Sequence, residues 1–453
     1  MTEKIKSVFA ATRFERTSYD VYFAGQNIVF MLLTSFLSIY YTDTLGIPAT
    51  AVAAILLAAR IWDAFVDPML ATIIEKSKFK SGKFKPWVML AAFTVPILTI
   101  SCFGFTDTLV DQSVGIRIAY ASITYFLWGT IYAASDAPAY ALSTVMTPHP
   151  EERNLLLSYN KLTGLLGGLG ALILFPLVRT AVGGSWFTAI LIFSVIAFVT
   201  MLMIRFTKER LVAEKTHQPT IREIFKSVMN NKYLVVIVLV SLIANGLNFA
   251  TTLIPFVGEQ IYHDPNSVSV ILAIGFLPML LVAPFAAALI KRFGKKQLTI
   301  FSFAATAVFS LLIYFFTRDN FTLFLIFMAL RGLLSAPFII VSAMFYTDAI
   351  EYDHYKNGTR FEAVTFAAQT FSSKITTAIS GGLGMWIIGI AGYKAAVAGE
   401  TVTQTSTALH ALWASLNLGP VVGSIIAIFI MAKYYDLSDA RVKQMIEANH
   451  AKK

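Results

Sequence analysis

A single cysteine, six histidines and a charged fraction of only 14% leave this 453-residue chain with few of the groups that build soluble catalytic and metal centres. Cys102 lies inside an apolar run, which excludes an intrachain disulfide and any CxxC or Cys/His zinc site, and it reads as a small core residue. An ordinary soluble domain carries about 25% charged residues, so the deficit excludes a soluble enzyme. There is no P-loop, no HExxH and no GxSxG, so ATP-driven pumping and membrane-embedded hydrolysis lack their residues. No enzymatic activity, no cofactor and no certain metal site are expected. The net charge of +10 is spread over short loops between apolar runs and forms no continuous basic face, which excludes nucleic acid as a main partner.

What the chain does have is apolar residues, at 57% of the total, gathered into runs of about 20 to 25, the length that crosses a bilayer. The lipid bilayer is the expected surrounding. Twelve spans are expected, near 19–41, 49–74, 87–105, 117–146, 155–178, 185–204, 233–256, 267–290, 297–316, 321–344, 363–391 and 408–431. The N-terminus has no short apolar core with a small-residue cleavage site and reads as a mature end.

Of the 36 Lys and Arg, 28 fall in the termini and in the even-numbered connections between spans, while the other loops hold only Arg117, Arg179, Arg318 and Lys394. Basic residues in short loops stay on the cytoplasmic side, so both termini and the 205–232 connection are expected there, in a multi-pass protein of the plasma (inner) membrane. That connection divides the spans six and six, giving an N-terminal bundle 1–204, a linker 205–232 and a C-terminal bundle with tail 233–453. Its segment from Thr220 to Met229 has apolar residues at helical spacing and is expected to form a short helix on the membrane surface. The halves echo each other: a glycine-containing basic loop follows the second span of each, at Lys78–Lys85 and at Lys291–Lys296, and a mixed-charge loop follows the fourth. An all-α membrane protein of two duplicated six-helix halves is the major facilitator architecture.

Arg60, Asp63, Asp67, Asp136 and Lys374 fall well inside spans, where each ionised group costs about 2.5–3.5 kcal/mol if left alone. They must be paired, hydrated or protonated. Arg60, Asp63 and Asp67 are spaced i, i+3, i+7 on one helix face, and two carboxylates one turn apart in a low dielectric either share a cation or hold a proton between them. That makes Asp63 and Asp67 the expected cation site, with Arg60 and Lys374 as charge partners. Asp136 lies in Tyr132–Tyr140, where Pro138 loosens the helix beside aromatic rings, a setting that suits a hydroxylated ligand. Asn27 with Gln26, Lys161, and Gln369 and Thr370 near Lys374 are further candidates for the same cavity. The glycines at 164, 167, 168 and 170 read as a close helix contact, Arg331 as a salt bridge or a cavity residue, and the Asn320 sequon as a chance match.

Several of these stretches resemble one family. Tyr40–Gly46, the Arg-x-Trp-Asp-x-x-x-Asp-Pro run at Arg60–Pro68, Gly-Lys-Phe-Lys-Pro-Trp at Gly82–Trp87, Tyr132–Pro138, Asp348–Asp353 and Asn357–Glu362 are similar to the glycoside–pentoside–hexuronide:cation symporters, the melibiose permease family. The resemblance implies that Asp63 and Asp67 bind the coupling cation, that Asp136 and Tyr140 meet sugar, that Lys374 links the two sites and that Lys161 touches sugar. It also shows departures. Asn27 stands where galactoside-binding members have an aspartate, which removes an acceptor of sugar hydroxyl protons. Val66 and Ala133 stand where sodium-using members have oxygen-bearing side chains.

The expected function is a secondary symporter importing a glycoside, pentoside or hexuronide by alternating access, with a proton as coupling ion and sodium as the alternative. A lysolipid or lipid symporter of the same fold is one rival reading, and a non-transporting membrane sensor is another.

Overall fold

The computed structural model describes residues 9–77, 79, 81–211, 221–358, 362–400 and 402–451, and those residues are almost wholly helical. The first half contains α1 (Arg13–Asp43), α2 (Ala49–Lys76), α3 (Lys85–Cys102), α4 (Val114–Met146), α5 (Pro150–Ala181) and α6 (Trp186–Leu202). The second contains the short α7 (Ile221–Asn230), then α8 (Lys232–Gly246), α9 (Ala250–Gln260), α10 (Pro265–Val282), α11 (Ala286–Phe293), α12 (Lys295–Phe316), α13 (Phe321–Asn357), α14 (Glu362–Ile390), α15 (Ser406–Tyr434) and α16 (Asp439–Ala451). Among the described residues, length and hydropathy alone mark nine stretches as able to cross a membrane, the pair α8 and α9 counting as one. The remaining spans of the twelve-helix facilitator fold are α4, α10 and α14.

The helices gather into two compact units. Unit 1 is Met1–Thr216 with the segments Asp264–Ser269 and Tyr393–Thr403, and unit 2 is His217–His263, Val270–Gly392 and Gln404–Lys453. In unit 1, α1 packs on α5 and α6, and α3 packs on α4 and α6. In unit 2 the same pairings recur one half later, α8 with α14 and α15, and α12 with α13 and α15. Repeated pairings at matching span positions are what a duplicated bundle produces.

The first and fifth spans start earlier than the sequence reading has them, at Arg13 and Pro150, the eighth is interrupted at Ala283–Phe285, and two further differences have clear local reasons. The seventh span is broken: α8 ends at Gly246, and Asn248 Oδ1 accepts from Ala250 N at 3.3 Å to start α9. The tenth span has no break at 344, because α13 meets no helix-stopping residue until Gly358, whose φ of +71° forms the left-handed cap. The mixed-charge segment Asp348–Lys356 is therefore helix rather than loop. In the 205–232 connection, α7 packs against α14 and α8, with Phe225 and Met229 exposed.

The glycine run of α5 is explained by contact with α1. A Cβ on Gly167 would lie 2.5 Å from the Ala24 carbonyl oxygen, and one on Gly164 would lie 2.7 Å from Asn27 Nδ2. Small residues let the two backbones approach, as they do at other membrane helix pairs.

At one end of unit 1, Glu209 closes the N-terminus of α3. Its carboxylate accepts from the backbone N–H groups of Lys83, Phe84 and Lys85 at 2.8, 2.8 and 2.7 Å, where unpaired amides and the helix dipole favour an anion. Gly82, at φ +120°, leaves the space that this carboxylate fills. Unit 2 repeats the device: Asp439 accepts from Lys295 N at 3.1 Å at the start of α12, beside Gly294 at φ +76°. Lys295 Nζ also pairs with Asp348.

Candidate functional site

Helix α2 sorts its side chains by face. Leu57, Ile61, Phe65, Met69 and Ile73 are exposed at four-residue steps, a lipid-facing stripe, while Asp63 is buried and Asp67 half-buried on the opposite side. The helix thus keeps its charges inside without polar flanks. Arg60 Nη1 donates to Asp63 Oδ2 at 2.8 Å, and Arg60 Nη2 donates to the Tyr125 hydroxyl of α4 at 2.9 Å. Asp67 acts on the same guanidinium by charge. Gly129 of α4 faces Asp63: a Cβ there would sit 3.7 Å from Asp63 Oδ1. Arg60 therefore meets Asp63 by a hydrogen bond, Asp67 by charge and the Tyr125 phenol by a second hydrogen bond.

Helix α4 carries the other half of this arrangement. Tyr125, Trp128 and Tyr132 are spaced i, i+3, i+7 and stack in series, Tyr125 on Trp128 at 7° and Trp128 on Tyr132 at 4.8 Å between centroids. Phe30 of α1 extends the stack, 5.5 Å from Tyr132. Trp62 Nε1 donates to Thr130 Oγ1 at 2.9 Å, and its ring lies parallel to Phe126. One turn beyond the stack, half-buried Asp136 Oδ1 accepts from Gln26 Nε2 at 3.1 Å, with Gln26 itself 1% exposed. Tyr140, 41% exposed, has its ring 5.0 Å from Phe23. The wall runs from carboxylate cluster to aromatic stack to a second carboxylate, which is chemistry for a cation at one end and for ring faces and hydroxyls at the other.

The remaining expected residues are placed less centrally. Asn27 Nδ2 donates to the Phe23 carbonyl of its own helix at 2.9 Å, so this amide is engaged at the α1–α5 contact. Lys161 is exposed on α5. Lys374 and Gln369 lie half-buried on α14 of unit 2, and Thr370, exposed there, donates to the Phe366 carbonyl of its own helix. Arg331 is buried on α13, with Nη1 donating to Ser310 Oγ at 3.2 Å. Sequence reasoning missed Tyr125 as the partner of Arg60. The signal was present in the Tyr125, Trp128, Tyr132 stripe, which shares a helix face with the polar residues that follow.

The family model described as MFS/sugar transport protein matches residues 19–439. The chain belongs to this family of the major facilitator superfamily. An isoprimeverose transporter of Lactiplantibacillus pentosus is 27% identical over 452 residues, covering 96% of this chain and 92% of its own. A glucuronide carrier protein homolog of Escherichia coli (strain K12) is 25% identical over 454 residues, covering 96% and 95%. Among solved structures, the nucleoside transporter NupG superposes with a TM-score of 0.66 at 12% identity, over 94% of this chain and 100% of that one, a likeness of fold. Together these bear out the resemblance to the glycoside–pentoside–hexuronide symporters read from the motifs. The chain is a multi-pass membrane transporter.

Proposed function

We propose that this transporter is a symporter that moves a glycoside, pentoside or hexuronide into the cell together with a cation, by alternating access. The observation that carries the reading is the Arg60–Asp63–Asp67 cluster on the inward face of α2, one helix away from a polar and aromatic wall that ends in Asp136. Two carboxylates one turn apart on one helix face at membrane depth can share a cation or hold a proton. Asp136, Gln26 and the Tyr132 and Tyr140 rings supply acceptors, donors and faces for a sugar. Relatives named for an isoprimeverose transporter, a glucuronide carrier homolog and a putative sulfoquinovose importer support the substrate class.

The coupling ion is a proton, with sodium the alternative. Sodium needs several oxygen ligands in place of water, whereas a proton needs one carboxylate in a low dielectric. Val66 and Ala133 contribute no side-chain oxygen beside the cluster. Both termini are cytoplasmic in this reading, and the protein lies in the plasma membrane. Thermal unfolding of the purified protein against a sugar panel identifies the substrate as the sugar that raises the midpoint. Adding that sugar to de-energised cells in weak buffer then tests the ion. External alkalinisation without stimulation by sodium or lithium is the expected result, and sodium stimulation without a pH change overturns the assignment.

A further inference from the structure

We propose that residues 393–400 are a latch on the outer side of unit 1, closed in this conformation and released when the cavity opens outward. The inference rests on the alternating-access reading above and adds the segment that gates it. Tyr393–Thr403 lies in sequence between α14 and α15, helices of unit 2, yet it belongs to unit 1. Several separate contacts seat it there. The Tyr393 hydroxyl donates to Asp43 Oδ2, at the end of α1, at 2.6 Å. Ala396 N and Ala398 N donate to the carbonyls of Thr42 and Thr44, both at 2.9 Å, and Leu45 forms an isolated β-bridge with Val397. The seat is buried, with Tyr393 6% and Leu45 0% exposed. The 43–48 connection that receives the latch is among those that the distribution of Lys and Arg assigns to the outside.

The receiving loop is shaped for its occupant. Gly46 has φ +63°, and a Cβ there would sit 2.6 Å from Arg117 Nη1 of α4 and 2.7 Å from Val397 Cγ1, so glycine alone admits both neighbours. Arg117, itself buried, donates to the Leu45 carbonyl and fixes the loop on unit 1. The tether decides where the latch opens. Only Ala391 and Gly392 separate α14 from Tyr393, a reach of about 7 Å. Both are already engaged in closing the helix, Ala391 N donating to the Ile387 carbonyl and Gly392 N to the Gly389 carbonyl, so this end has no slack. At the far end, Gly399 has φ +88° and open space around it, which makes it a pivot. In a rocking cycle α14 moves with its half, and a segment seated on α1 through so short a tether cannot keep both attachments. The Tyr393–Asp43 bond therefore breaks first, and the strap peels from that end toward Gly399.

The test reads neither sugar nor coupling ion. A full-length Cys102→Ser chain carrying Leu45→Cys, Val397→Cys and Tyr140→Cys is oxidised with copper phenanthroline in intact cells, since β-bridge partners lie within disulfide reach. An impermeant maleimide then probes the thiol at position 140 from outside. That thiol is expected to react in the reduced chain, to react about tenfold more slowly or less after oxidation, and to recover with dithiothreitol. In a chain without the cross-linking pair, Tyr393→Phe removes a hydrogen bond to a charged acceptor and should raise the same rate by about tenfold. Failure of positions 45 and 397 to form a disulfide overturns the proposal, as does a rate that oxidation leaves unchanged. So does a position 140 closed to the reagent in the reduced chain, or a rate unmoved by Tyr393→Phe. None of these readouts uses a sugar, Asp63 or Asp67, so failure here leaves the symporter reading to its own test, and the reverse.

Discussion

Replacing Asp63 by Asn separates the energetic role of the α2 cluster from its transport role. The Arg60–Asp63 pair is 2.8 Å long, with side chains 19% and 12% exposed, so it is largely removed from water. Deleting one partner of such a pair costs about 3–5 kcal/mol, because the other charge stays buried. Arg60 retains the Tyr125 hydroxyl and the field of Asp67. The lower end therefore applies, about 3 kcal/mol for Asp63→Asn. Arg60→Gln should cost a similar amount, since it leaves two carboxylates facing one another. The double variant Arg60→Gln/Asp63→Asn removes both halves of the hydrogen-bonded pair and takes only the Arg60 field from Asp67, so it should cost about 1–2 kcal/mol, a coupling energy of several kcal/mol in the cycle. Thermal unfolding in detergent reads this ranking. Uphill accumulation of the identified sugar reads the other half: it should be lost in Asp63→Asn and stay lost in the double variant, while exchange of labelled sugar survives in part. A double variant that regains stability and accumulation together would refute the cation role, leaving a structural ion pair. Additive costs in the cycle would refute the energetics.

Asp136→Asn should weaken sugar binding about ten- to hundredfold, the worth of a hydrogen bond to a charged acceptor, read as a smaller ligand-induced rise in the unfolding midpoint. Gly82→Ala should destabilise unit 1 by about 1–3 kcal/mol, since φ is +120° there and a Cβ would enter the Glu209 carboxylate; an unfolding midpoint equal to wild type would contradict the staple. In a Cys102→Ser background, single cysteines in the 43–48 and 258–266 loops should react with an impermeant thiol reagent on intact cells. Reaction in the 75–86 loop instead would reverse the orientation.

How far the sequence could be read depended on which physical signal each feature leaves. The spans and their duplication are written in composition, since only apolar runs of that length tolerate a bilayer core, and the helices follow them closely. Where spans broke or ran on, the cause was local and cheap to encode: Asn248 starting α9, and Gly358 at positive φ ending α13. The charged face of α2 was legible because three residues on one helix share a phase that sequence spacing fixes. Partners from other helices were not. That Arg60 reaches Tyr125, or that Gln26 rather than Asn27 meets Asp136, depends on the rotation of α1 and α4 about their axes. The glycines of α5 and Asn27 of α1 set that rotation through a contact 137 residues apart in sequence.

Glu209 and Asp439 escaped for a different reason: each is an unremarkable acid at the edge of an apolar run. Both lie after the sixth span of their halves and differ in residue type and in distance from the helix they cap. Alignment of the halves by motif passes over them, yet both meet a positive-φ glycine and the first amides of a third-span helix. The duplication thus extends to the staples that fix each bundle. It does not extend to the acids at membrane depth, where unit 1 holds Asp63 and Asp67 on α2 and Asp136 on α4, while α13, the counterpart of α4, holds Arg331. If the staples are scaffold, Glu209→Gln and Asp439→Asn should each lower the unfolding midpoint and leave the coupling ion unchanged. Charge substitutions at the unduplicated positions should alter coupling or binding, beyond whatever they cost in stability. That contrast follows from the geometry alone, because a capped helix end responds to any lost acceptor, whereas a site at membrane depth responds to the sign of its charge.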